Sequence, residues 1–232
     1  MIVVIDGPAG SGKSSTAKAV TNRVGLQYLD SGALYRTLTL LVMDNAMDPD
    51  GLDSNVLKEL TAQNTITFEY RTGTFHTYIN GEDVTGRIRT QEVSDHVSAL
   101  AAMPQARSLV NALMREGVKN RYFIADGRDL GTAVFPDADL KFYMVADVKV
   151  RAQRRLQELE KQGETANYDE VLANIRARDQ KDSERAADPL KKPEDAVEIN
   201  TSALTFDRQV EIISSHIDHY LKQFKLKQKP QP

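Results

Sequence analysis

The chain has 232 residues, 41% hydrophobic and 27% charged, with no cysteine and a formal net charge of -3 from 30 basic and 33 acidic residues. That length fits one large domain, or one domain with a smaller insertion, and the lack of cysteine excludes disulfides, thiolate metal sites and cysteine nucleophiles. The charge balance argues against a broad nucleic-acid-binding surface. No apolar run approaches the ~18 residues of a membrane-spanning helix. The opening MIVVIDGPAG has neither a basic leader nor a signal-like core, so a soluble, cytoplasmic protein is expected.

The first apolar run, Ile2–Asp6, reads as a strand leading into a glycine-rich loop and the helical pattern SSTAKAVTNRV. Gln27–Leu29 reads as a second strand on three residues alone. The stretch Ile66–Val84 differs: ITFEY and HTYING alternate apolar and polar positions around Arg71-Thr72-Gly73-Thr74, the pattern of an antiparallel hairpin. Helical patterns follow over Gln91–Ala102 and Pro104–Glu116, with Pro104 in a first turn where its missing N–H costs nothing. Tyr122–Asp126 and Lys141–Val145 are further strands, Val148–Gln162 and Tyr168–Ala186 further helices, and Ala196–Ile199 a last strand. The final eight residues, KLKQKPQP, are expected to fray. Short apolar runs separated by helical patterns predict an α/β fold with a doubly wound, five-stranded parallel sheet, the hairpin being a small insertion.

Gly7-Pro8-Ala9-Gly10-Ser11-Gly12-Lys13-Ser14 matches G-x-x-x-x-G-K-[ST] at every fixed position, with a strand before it and a helix pattern after it. Glycines let backbone N–H groups turn inward around phosphate oxygens, where side chains would clash. The following helix, which begins near Ser14 and Ser15, adds the positive end of its dipole. Lys13 is suited to bridge terminal phosphates and the Ser14 hydroxyl to ligate Mg²⁺. The motif predicts nucleoside triphosphate binding without naming the reaction.

In an open α/β sheet, ligands bind beyond the carboxyl ends of the strands. After the second strand comes Asp30-Ser31-Gly32-Ala33-Leu34-Tyr35-Arg36, where Ser31 can cap the next helix and set Tyr35 and Arg36 about one turn in. After the third comes Asp126-Gly127-Arg128-Asp129-Leu130-Gly131, with a fork donor and a fork acceptor side by side. Asp30 and Asp126 read equally as caps or surface ion pairs, and Asp126 also as a carboxylate that holds Mg²⁺ through water. Arg178, Lys181, Asp182 and Arg185 share one face of a late helix, and Arg151, Arg154 and Arg155 form a stripe on the helix before it. Alone, each set reads as an ion-pair ladder on a solvated helix. Combined with a phosphate loop, they are what phosphoryl transfer between two anionic substrates requires: positioning, electrostatic stabilisation and a lid against water.

These residues resemble the bacterial cytidylate kinases. The resemblance rests on IDGPAGSGKSS, LDSGALYR, INGEDVTGRIRTQEVSDHVSALAAMPQAR, ADGRDLGTAVFPDADLK and RARDQKDSERAADPLKKPEDA, which span Ile5 to about Ala196. It implies a P-loop nucleoside-triphosphate-binding fold with a core of residues 1–36, 118–148 and 187–224. It also implies an inserted monophosphate-binding domain at 37–117 and a helical lid at 149–186. The implied reaction is Mg²⁺-dependent transfer from ATP to CMP or dCMP. By matched position, Ser31, Tyr35 and Arg36 hold the acceptor nucleotide, Ser98 and Arg107 face its base, and Arg128 reaches its phosphate. Asp129, Asp182 and Arg185 serve the sugar, and Arg178 comes from the lid toward the transferring group. The catalytic set is then Lys13, Arg128 and Arg178.

Two positions depart from the family pattern: Asn200, where an aspartate is common, and the pair Ser14-Ser15, which keeps a hydroxyl for Mg²⁺. The attacking group is a phosphate oxygen, largely ionised at neutral pH, so no strong general base is required. His76, His96, His216 and His219 therefore read as structural or surface residues, and their spacing suggests no metal site. Competing readings are a kinase for another small anionic acceptor and, in a different class, a GTP-dependent switch. A switch needs an N/T-K-x-D segment, which is absent, and the D-x-x-G match from Asp48 to Gly51 has no strand before it. No heptad or long apolar stripe appears, so a monomer is expected.

Overall fold

The computed structural model describes residues 1–119, 121–161, 163 and 165–227. Five strands, β1 (Ile2–Asp6), β2 (Gln27–Asp30), β6 (Phe123–Gly127), β7 (Leu140–Val145) and β8 (Val197–Asn200), form one parallel sheet in the order β2-β6-β1-β7-β8. Val3, Val4, Ile5, Phe123, Ile124, Ala125 and Phe142 are almost wholly buried. Strands covered on both faces carry continuous apolar runs rather than alternation, and for that reason they stand out in the sequence. The expected strand ends move by a residue in four strands: β2 extends to Asp30, β6 runs from Phe123 to Gly127 with Tyr122 exposed before it, β7 begins at Leu140, and β8 runs from Val197 to Asn200.

Helix α1 (Lys13–Val24) packs against α8 (Phe206–Lys227), and α2 (Ser31–Asp44) against α4 (Gln91–Ala102) and α5 (Pro104–Gly117). Helix α3 (Ser54–Gln63), not anticipated from the sequence, is capped by Asp53, whose carboxylate accepts the amide of Asn55. The hairpin is present as β3 (Ile66–Arg71) and β4 (Thr74–Ile79), joined through Thr72 and Gly73 at φ +50° and +81°. Positive φ at both turn residues matches the twist of the strands. A short β5 (Glu82–Asp83) makes this a separate three-stranded sheet.

Helices α6 (Val148–Lys161) and α7 (Tyr168–Glu184) enclose their own small apolar cluster, Ala152, Leu159, Val171 and Ile175, apart from the main core. The expected end of α6 at Gln162 lies outside the described residues. The α7 helix stops two residues short of Ala186, because Arg185 turns extended (φ −60°, ψ 140°) and the Asp182 carbonyl accepts the amide of Leu190. The tail expected to fray lies in part, residues 228–232, outside the described residues. Among the described residues, no helix is long and apolar enough to cross a membrane.

Phe142, fully buried in β7, meets the ring of His216 of α8 edge-on at 5.6 Å. Phe142→Ala is expected to lower the free energy of unfolding by about 3–5 kcal/mol, read from urea unfolding curves. A change below ~1 kcal/mol would mean that the sheet and α8 are not one core.

Candidate active site

The phosphate loop turns back at the end of β1. A side chain at Gly7 would bring its Cβ within 2.1 Å of the Met144 carbonyl oxygen, so only glycine lets the loop leave the sheet here. Gly12 caps α1 in the left-handed region, at φ +92°. Among the described residues, the amides of Gly10, Gly12, Lys13, Ser14 and Ser15 have no protein acceptor, leaving donors free around the start of α1. The Ser11 hydroxyl is buried and also lacks a partner. Lys13 Nζ donates to the Pro8 carbonyl at 3.1 Å. Burial, then the nearby Arg128, push the Lys13 ammonium down to about 7.

Parts of the chain far off in sequence hold the loop. Arg151, read from the sequence as part of a solvated stripe, is instead buried. It donates to the carbonyls of Ala9 (2.9 Å) and Ala146 (3.0 Å) and pairs with Asp179 of α7 at 2.7 Å. Thr201 Oγ1 donates to the Ser11 carbonyl at 2.9 Å, and Arg154 to the Thr201 carbonyl at 2.6 Å. The side chain of Asn200 is exposed and accepts the amide of Ser202.

Facing the loop, the carboxyl ends of β2 and β6 supply paired aspartates in register, Asp30 beside Asp126. The helix cap is Asp30, not Ser31: Asp30 is extended and accepts the Ala33 amide at 2.9 Å, while Ser31 is already helical and donates to the Asp126 carbonyl at 2.6 Å. Asp30 also pairs with Arg89 at 2.6 Å. Asp126 accepts the hydroxyls of Tyr28 and, at 2.5 Å, Ser14. Burial and the neighbouring Asp30 hold the Asp126 carboxyl above the usual range. A hydroxyl and a buried carboxylate side by side form a hard, all-oxygen donor set, which suits Mg²⁺.

Above these ends the cations gather. Arg36 donates to Ser94 at 2.6 Å and is pushed down to about 10 by burial, with Arg178 and Arg89 adding repulsion. Arg178 makes no hydrogen bond or ion pair among the described residues, and burial and Arg128 lower its basicity. Arg128 pairs with Asp182 at 2.8 Å. Asp129 lies between Arg185, at 2.8 Å, and Arg107. Arg107 is only 2% exposed, and its guanidinium also donates to Asp188 and to the Ala101 carbonyl.

The cleft so formed has a volume of about 1070 Å³. It is lined by Ala9, Gly10, Gly12, Lys13, Ser14, Ser15, Ser31, Tyr35, Arg36, Ser98, Arg128, Asp129, Arg178, Asp182 and Arg185. Gly7, Pro8, Ser11 and Arg107 are not among its lining residues; Gly7, Ser11 and Arg107 are buried behind the wall, and the hydroxyl of Tyr35 is buried without a partner. Residues the sequence reading missed are Arg89, Ser94, Arg151 and Asp188, each a partner of a site group. The pairs Arg89–Asp30 and Arg107–Asp188 join positions 59 and 81 apart, so no local pattern announces them. The four histidines all lie outside the cleft; His76 meets Asp83, and His96 meets Asp50 beside Asp48 on the surface.

A model of the cytidylate kinase family matches residues 3–219. The chain is 40% identical to a cytidylate kinase of Lactobacillus gasseri over 217 residues, 94% of each chain. It is 39% identical to a cytidylate kinase of Bacteroides fragilis over 223 residues, 95% of this chain and 97% of that one. Among solved structures, a gluconokinase from Sinorhizobium meliloti shares the fold at TM-score 0.52 and 12% identity, covering 97% of this chain and 96% of its own. With the phosphate loop, the paired strand-end aspartates and the ring of arginines all falling inside the matched residues, the chain belongs to the cytidylate kinase family.

Proposed function

We propose that the cleft transfers the γ-phosphoryl group of ATP to CMP or dCMP, giving ADP and CDP or dCDP. The observation that carries this reading is a surplus of positive charge that the protein does not neutralise. Lys13, Arg36 and Arg178 crowd one cleft without a carboxylate ion pair among the described residues, and each is less basic than usual through burial and then through neighbouring arginines. Such an arrangement is costly unless the ligands are anions, and two phosphorylated substrates supply them.

In this reading the loop from Gly7 to Ser15 cradles the ATP phosphates through the free amides of Gly10, Gly12, Lys13, Ser14 and Ser15, with Lys13 against the terminal ones. Ser14 and Asp126 would hold Mg²⁺, which would supply positive charge to offset that of the phosphates. Ser31, Tyr35 and Arg36 orient the acceptor, with Arg36 and Arg128 at its phosphate. Ser98 faces the base; Arg107, buried behind the wall, acts on it through Asp129 and the Ala101 carbonyl. Asp129, Asp182 and Arg185 meet the sugar hydroxyls. Arg178 reaches the transferring group, where charge spreads over three oxygens. Helices α6 and α7, which make up most of the proposed lid 149–186, have a core of their own and so suit a unit that closes and excludes water, against the acceptor domain at 37–117 and the remaining core.

The test is ADP formation from ATP and Mg²⁺ with CMP, dCMP, UMP, AMP, GMP, dTMP or no acceptor. Rapid turnover with CMP and dCMP, and little without acceptor, is expected; failure of every monophosphate would overturn the assignment of the acceptor. Arg178→Ala should lower kcat by about 10²–10³ with a much smaller change in the KM of CMP. An effect confined to KM would move Arg178 to ground-state binding.

Lys13 gives a pH signature. Its pKa in the free protein is about 7, and triphosphate beside it favours the charged form. ATP binding at pH 8 is therefore expected to take up a proton, seen in calorimetry as an enthalpy that varies with the ionisation enthalpy of the buffer. The uptake should shrink toward pH 6, where Lys13 is already charged. Buffer-independent enthalpy at pH 8 would count against Lys13 at the phosphates.

A further inference from the structure

The segment Leu130–Val134 follows Arg128 and Asp129 directly and forms a single π-type turn. A turn of five residues has almost no hydrogen-bond ladder of its own, so its backbone groups need partners from elsewhere. At its amino end, the amides of Leu130 and Gly131 donate to the two oxygens of Asp6, at 2.9 and 2.7 Å. At its carboxyl end, the carbonyls of Ala133 and Val134 accept from Arg115 Nη2 and Nε, at 2.7 and 2.9 Å. A carboxylate thus sits at the positive end of the turn and a guanidinium at its negative end, the orientation that backbone dipoles favour.

Neither residue touches the cleft, and neither has a carboxylate or cation as its ion-pair partner among the described residues. Asp6 is completely buried, and burial pushes its carboxyl up to about 6. A carboxylate is costly in such a place, and the two amides it accepts are what compensate it. Asp6 is also the residue before Gly7, so the same position ends β1, opens the phosphate loop and grips the turn. Arg115 lies on α5 two helical turns after Arg107, which holds the Asp129 side chain from the same helix.

We propose that Asp6 and Arg115 are positioning residues for phosphoryl transfer: together they fix the 130–134 turn, and so the backbone from which Arg128 and Asp129 enter the cleft. This rests on the kinase reading above. The two act through Arg128 and Asp129, on the acceptor side, and leave the amides of the phosphate loop as they are.

The experiment compares the full chain with Asp6→Asn, Arg115→Met and Arg115→Lys in three measurements: CMP kinetics, ATP affinity by calorimetry, and amide hydrogen exchange over residues 128–134. Asn at position 6 keeps the shape but sets an N–H against one of the two donors. It is expected to reduce kcat/KM for CMP about 10²-fold, with ATP affinity changed by less than about threefold. Arg115→Met should act in the same direction by about tenfold, and Arg115→Lys, which restores one donor, should recover part of the loss. Exchange at Leu130 and Gly131 should quicken in Asp6→Asn. Kinetics and exchange equal to the parent chain in both Asp6→Asn and Arg115→Met would overturn the proposal, as would equal loss of ATP and CMP use. Arg115 is exposed, so its pair of variants decides the matter if Asp6→Asn does not fold. A parent chain inactive toward CMP would instead overturn the kinase reading, and the exchange data would still report on the clamp.

Discussion

Three neighbouring parallel strands, β2, β6 and β1, end at the same level, each in an aspartate or next to one. Register pairs Asp30 with Asp126 and Asp6 with Gly127. Parallel strands all point their carboxyl ends one way, so loops that leave them from residues 7, 31 and 128 must meet. The three aspartates then divide the work of organising those loops. Asp30 caps α2 and binds Arg89, Asp126 collects the hydroxyls of Ser14 and Tyr28, and Asp6 takes two amides of the turn after Asp129.

On that acidic floor rests a basic wall. The chain carries slightly more acid than base, yet its cleft concentrates Lys13, Arg36, Arg128 and Arg178. Some of these are held by carboxylates, as Arg128 is by Asp182. Among the described residues, the others are held by packing and neutral oxygens, such as the Ser94 hydroxyl and the Pro8 carbonyl. Like charges at short range in a poorly solvated cleft repel, and the repulsion is relieved when anionic ligands enter. Affinity for phosphates is thus prepared in the folded chain before any ligand arrives.

The sheet was legible because buried parallel strands are unbroken apolar runs, and the phosphate loop because its chemistry fixes glycines and lysine at set spacings. The ends were less so. Ser31 and Asp30 are both good caps by type, and the choice between them depends on where the backbone becomes helical. Arg151 looked like its neighbours Arg154 and Arg155 in a charged stripe. Only the approach of Ala9 and Asp179 from distant parts of the chain makes it a buried donor. Arg107 shows the reverse: a residue matched to a site by position, which lies behind the wall because Asp129, Asp188 and Ala101 take its donors.

The loop that gives the cleft its first half is built from residues 7 to 15, yet its supports are Arg151, Thr201 and Gln209, the last bonded to Thr16 at 3.1 Å. Contacts across so much sequence are slow to close, because the loop-closure entropy must be met first. On the ribosome, the phosphate loop emerges well before α8, nearly two hundred residues behind it. Until α8 has been made, the nucleotide motif stands without that part of its scaffold.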